Sequence, residues 1–106
     1  DAPALFDRPG SPYADERGEP HPDNALRFAI FCEAVARIAS GDAGRELAAD
    51  IVHLNDWHTG LVPVYLAQGA ARVRSLMTIH NLAYQGLFDH AQYRALGLPD
   101  DPHGGT

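Results

Sequence analysis

The longest regular pattern of apolar positions lies in residues 23–40. There Phe28, Phe31, Cys32, Val35 and Ile38 recur at helical spacing, with Leu26, Ile30 and Ala34 widening the stripe. Asp23 or Asn24 offers an N-cap and Gly41 a stop, so this stretch is expected to be one helix. Glu33 and Arg37 stand at i,i+4 in the favourable order. Arg27 reads as a solvated or loop-anchoring charge, and Cys32, on the stripe, as a small buried hydrophobe. The pattern then changes. Ile51–Leu54 is a short apolar run with adjacent β-branched residues, as in a buried parallel strand. From His58 or Thr59 to Gln68 helical spacing returns, with Leu61, Val62, Tyr65 and Leu66 inward, Pro63 in the first turn and Gly69 at the end. Arg72–Ile79 reads as a second strand. Strand, helix, strand is a βαβ unit, which makes the two strands parallel.

Around this unit the sequence is less regular. Residues 1–22 are rich in Pro, Gly and acidic groups and read as a loop, because each Pro fixes its own φ and discourages helix before it. A short helical turn is expected around Arg45–Ala48, a loop over Asn81–Gly86, and a short helix over His90–Leu96. The division expected is therefore a loop (1–22), an α/β body (23–98) and a tail (99–106).

Composition removes several classes of function. A net charge of −6 leaves no basic face for nucleic acid or an anionic membrane. The single cysteine excludes an internal disulfide framework and a four-cysteine zinc site. No apolar run approaches the roughly 18 residues of a membrane span, so the cytoplasm is the expected compartment. The chain lacks an initiating Met and stops in Pro-His-Gly-Gly-Thr, so both ends read as cuts within a longer protein.

Candidate chemistry gathers where the two strands end. In an open α/β sheet, ligands sit outside the carboxyl ends of the strands. Asp56 and His80 each follow such an end, one βαβ period apart, and so fit one crevice. A carboxylate and an imidazole there can orient hydroxyls or do acid–base work. The alternative is that Asp56 merely caps the next helix and His80 its strand. A metal site from His53, Asp56, His58 and His80 is a weaker reading, since their spacing matches no zinc motif. No Gly-x-Ser-x-Gly elbow, Gly-x-Gly-x-x-Gly or Walker pattern occurs. Tyr13, the one large aromatic in the middle of the N-terminal loop, reads first as packing that loop onto the body.

Four blocks resemble the bacterial glycogen synthases and plant starch synthases, in that family's order. They are Asp7-Arg8-Pro9-Gly10-Ser11-Pro12-Tyr13, Asp23-Asn24-Ala25-Leu26-Arg27-Phe28, Val52-His53-Leu54-Asn55-Asp56-Trp57-His58-Thr59-Gly60-Leu61 and His80-Asn81-Leu82-Ala83-Tyr84-Gln85-Gly86. The last is the most specific. The resemblance implies a retaining glucosyltransferase that moves glucose from ADP-glucose to the nonreducing end of an α-1,4-glucan, without a cofactor. It implies a fold of two Rossmann-like domains facing across a cleft (GT-B), with this chain an interior piece of the N-terminal one. By the same likeness Asp56 contacts sugar, His80 lies beside the transferred glucose, Asn81 and Tyr13 line the pocket, and Trp57 and Tyr84 brace the loops.

The family handles the leaving phosphate with a Lys-x-Gly-Gly loop and with an Arg/Lys pair in the C-terminal domain. This sequence contains no lysine at all. The chain alone is therefore expected to be inactive, to need the C-terminal domain, and to be marginally stable or self-associating. A non-catalytic glucan-binding module and a metal-dependent hydrolase are the other readings carried forward.

Overall fold

The computed structural model describes residues 1–96 and 98. The expected tail over 99–106 lies outside the described residues. The chain divides into two compact units, one of residues 1–26 with those from Leu87 onward, the other Arg27–Gly86.

In the first unit the N-terminal stretch is mostly irregular, as its prolines dictate, but it opens with one helical turn, α1 (Pro3–Phe6), where a loop is expected. Pro at the start of that turn gives up only an N–H that would have no partner within the helix. An isolated antiparallel bridge joins Ala14 to Pro20. Arg8 grips both carboxylate oxygens of Asp23 at 2.7 Å and reaches back to the Ala4 carbonyl. The Tyr13 carbonyl accepts from the His21 backbone N–H and from the Asn24 side-chain amide. A last helix, α4 (His90–Ala95), begins at a reciprocal capping box between Asp89 and Gln92.

The long helix α2 (Asn24–Ala39) begins in the first unit and runs into the second. Its stripe is turned from the expected one. Ala25, Phe28, Ala29, Cys32, Ala36 and Ala39 are buried, whereas Leu26, Ile30, Phe31 and Ile38 are exposed. The helix is apolar nearly all round, so periodicity alone allows either side. The side that packs is the one rich in alanine, where small side chains let a neighbour approach closely. Arg27 is 2% exposed, with its guanidinium 5.5 Å from the Phe28 ring centroid, so it is not a solvated charge. Glu33 and Arg37 form the expected exposed ion pair at 2.8 Å.

The rest of the second unit is a βαβ arrangement. A short 3-10 turn over Arg45–Leu47 leads into β1 (Ile51–Asn55). A second 3-10 turn over Trp57–Thr59 follows, then α3 (Val62–Gln68) and β2 (Arg74–Thr78). The expected single helix from residue 58 is thus split into a 3-10 turn and an α-helix, with Pro63 in the first turn of α3. β1 and β2 pair in parallel, with His53 opposite Leu76 and Asn55 opposite Thr78. The core is Cys32, Ala36 and Ala39 of α2, Leu54 of β1, and Val62 and Leu66 of α3. One face of the sheet stays open, with Ile51 61% and Leu76 57% exposed. Among the described residues no helix is long and apolar enough to cross a membrane.

Candidate functional site

The parallel pairing brings the C-terminal ends of β1 and β2 side by side, and the residues just past those ends meet. Asp56 extends the ladder by one bond, its N–H donating to the Thr78 carbonyl at 2.9 Å. The backbone then turns through φ 65°, ψ 177°, and Asp56 is the one non-glycine residue with positive φ among those described. That region is close to glycine-only and costs about 1–3 kcal/mol, so surrounding contacts must hold it.

What the turn achieves is to aim the Asp56 side chain across to the second strand end. Its Oδ1 accepts the His80 backbone N–H at 2.6 Å, and its Oδ2 lies 2.9 Å from His80 Nδ1. Asp56 precedes the 3-10 turn but makes no side-chain cap bond to it. The helix-cap alternative therefore does not describe this carboxylate.

Charge and proton placement follow from the same contacts. The His80 backbone N–H is the largest influence holding the Asp56 carboxyl below the ordinary carboxylate range; partial loss of water opposes it, and the His80 ring adds to the lowering. An ionised carboxylate only accepts, so Nδ1 of His80 must carry the proton shared between them. A neutral His80 then presents Nε2 as an acceptor from an exposed ring.

The neighbours of the pair are structural. Trp57 meets Phe28 edge to face at 5.0 Å and lies at 89° to the His58 ring. The returning loop settles on the indole at Gly86, where φ is 61° and a Cβ would fall 2.1 Å from Trp57 Cε3. Only glycine fits there, which explains why the His-Asn-Leu-Ala-Tyr-Gln-Gly block ends as it does. The Cys32 thiol donates to the His58 carbonyl at 3.1 Å, and burial pushes its pKa up, so it is a packing group rather than a nucleophile. Tyr84 is 68% exposed, so of the two aromatics expected to brace the loops only Trp57 does so.

Of the four residues singled out in the sequence, Asp56 and His80 are in direct contact and Asn81 follows at the same strand end. Asn81 turns its carboxamide oxygen to the Ala83 N–H at 3.0 Å, so its NH2 group is what it has to offer a ligand. Tyr13 belongs to the first unit and is 43% exposed. His53, from the metal reading, instead places Nε2 2.8 Å from Thr78 Oγ1 across the sheet. Among the described residues no three His, Cys, Asp or Glu side chains gather as a metal-holding group. Sequence reasoning gave Thr59 no role beyond a helix start, yet its hydroxyl bonds the Asp56 carbonyl at 2.8 Å.

Comparison with known proteins agrees with the four sequence blocks. The family model described as the starch synthase catalytic domain matches residues 1–105. Glycogen synthase 1 of Bradyrhizobium diazoefficiens is 52% identical over 91% of this chain and 21% of its own length. The glycogen synthase of Marinobacter nauticus is 54% identical over 94% of the chain and 21% of its own length. That of Pseudomonas aeruginosa is 50% identical over 93% and 19%. The chain spans about a fifth of the length of these relatives.

Proposed function

Because this chain belongs to the starch synthase catalytic domain family, we propose that it supplies one wall of the sugar site in a retaining glucosyltransferase. The complete protein would transfer glucose from ADP-glucose to the nonreducing end of an α-1,4-glucan, needing no further cofactor. Its architecture would be the two-domain GT-B type, with this segment in the N-terminal Rossmann-like half. The observation that carries the reading is the Asp56–His80 pair, joined by two hydrogen bonds across adjacent strand ends.

Glucosyl transfer passes through an oxocarbenium-like centre, and fixed negative charge or an oriented carbonyl nearby stabilises it. Asp56, held ionised, supplies such charge without needing to move a proton. His80, oriented by Asp56, offers Nε2 to a sugar hydroxyl and a backbone carbonyl beside it. The Asn81 amide adds a sugar contact at the same strand end, and the family resemblance alone assigns a sugar contact to Tyr13. The nucleotide and the leaving phosphate fall to parts of the protein beyond this chain, which has no lysine. No observation favours a separate glucan-binding module or a metal-dependent hydrolase.

The test uses the complete polypeptide carrying this segment, with ADP-glucose and a maltooligosaccharide. Asp56→Ala and His80→Ala are each expected to lower transfer by roughly 10²–10³-fold, the usual cost of removing a preorganised electrostatic group, while thermal melting stays cooperative. Turnover unchanged in both variants overturns the site assignment.

A further inference from the structure

The Asp56 side chain reaches His80 only because the backbone at Asp56 is held in an unfavourable turn. The N-terminal side of that residue is fixed by the ladder bond to Thr78. On its C-terminal side the Asp56 carbonyl meets two donors from one residue. The Thr59 backbone N–H lies at 3.2 Å and the Thr59 hydroxyl at 2.8 Å. The same hydroxyl is 3.2 Å from the Asn55 carbonyl. A hydroxyl has a single proton, so the shorter contact takes most of it. With the Asp56 N–H held by the ladder, rotation about its N–Cα bond moves the side chain and the carbonyl together; by holding the carbonyl, the hydroxyl opposes the rotation that swings the carboxylate away from His80.

We propose that Thr59 is a positioning residue for the sugar site, its hydroxyl holding the Asp56 carbonyl and with it the φ that aims the Asp56 carboxylate at His80. The catalytic consequence rests on the reading of Asp56 and His80 given above; the structural consequence rests on geometry alone. Thr59→Val keeps the shape and β-branching and removes the donor. Thr59→Ser keeps the donor and removes the methyl. The backbone bond from Thr59 survives in both, so a partial effect is expected.

Two readouts in the complete polypeptide decide it. The first is the His80 backbone amide, followed by NMR. In wild type and Thr59→Ser it should resonate downfield and resist hydrogen exchange, while in Thr59→Val it should move upfield and exchange several-fold faster. The second is steady-state transfer from ADP-glucose. Thr59→Val should lower kcat by about tenfold, the worth of one hydrogen bond to an ordered group, with KM changed less than about twofold. Thr59→Ser should restore most of kcat, and Thr59→Val should cost nothing further in an Asp56→Ala background. An unmoved His80 amide in Thr59→Val, or no rescue by Thr59→Ser, overturns the proposal. If wild type transfers no glucose, or Asp56→Ala leaves transfer intact, the functional reading falls, and the amide readout still decides whether Thr59 positions Asp56.

Discussion

The strand ends and the outer faces of the second unit are built on opposite terms. At the strand ends the chain supplies its own partners: Asp56 to His80, Asp56 to Thr78, Thr59 to Asp56, and Trp57 beneath Gly86. On the outer faces, among the described residues, it does not. Ile30, Phe31 and Ile38 of α2 and Ile51 and Leu76 of the sheet stand exposed, and a two-stranded sheet carries unpaired backbone along both edges. The difference teaches that the polar geometry of the site is set locally, within one βαβ period. The packing around it leaves large apolar side chains exposed, and the chain spans about a fifth of its relatives' length.

That contrast can be broken at the strand ends first. Gly86→Ala puts a methyl in overlap with Trp57, 2.1 Å from Cε3, and demands positive φ of an L-residue. A loss of about 2–5 kcal/mol is expected in denaturant unfolding of the complete polypeptide, together with lost transfer as the His80 loop lifts. A smaller effect is expected on the outer face. In the isolated segment Phe31→Ser should shift self-associated material toward monomer by light scattering, with stability changed by less than about 1 kcal/mol. Smaller still is the exposed Glu33–Arg37 pair, where Arg37→Ala should cost no more than about 0.5 kcal/mol.

Proton linkage sharpens the same contrast. The Asp56 carboxyl is lowered in the folded protein, so its contribution to stability is present above the ordinary Asp range near pH 4 and is lost as pH falls through the lowered value. The His80 backbone N–H leads that lowering and survives in His80→Ala. The Asp56 titration midpoint, read by carboxyl NMR, should therefore rise only part of the way toward the ordinary range in His80→Ala. A full return would show the ring, not the backbone, to be in charge.

Much of this was legible in the residues, and the exceptions have physical causes. The βαβ unit showed because its periods change sharply at Ile51, at His58 or Thr59, and at Arg72, and that period placed Asp56 and His80 together. The inward face of α2 did not show, because an all-round apolar helix has no unique stripe and neighbouring elements choose the side. Nor did the left-handed turn at Asp56, since glycine usually signals such a turn and none stands there. The role of Thr59 followed from that turn and was hidden with it. The close seat of Gly86 on Trp57 joins residues from the two separate strand-end loops, which local pattern does not connect.

The central claim is that Asp56 and His80 work as one unit across the two strand ends. A double-mutant cycle of Asp56→Ala and His80→Ala, measured as glucosyl transfer by the complete polypeptide, tests it most directly. The double variant is expected to be about as slow as the slower single one, because each substitution already dismantles the pair. Losses that simply multiply would contradict it.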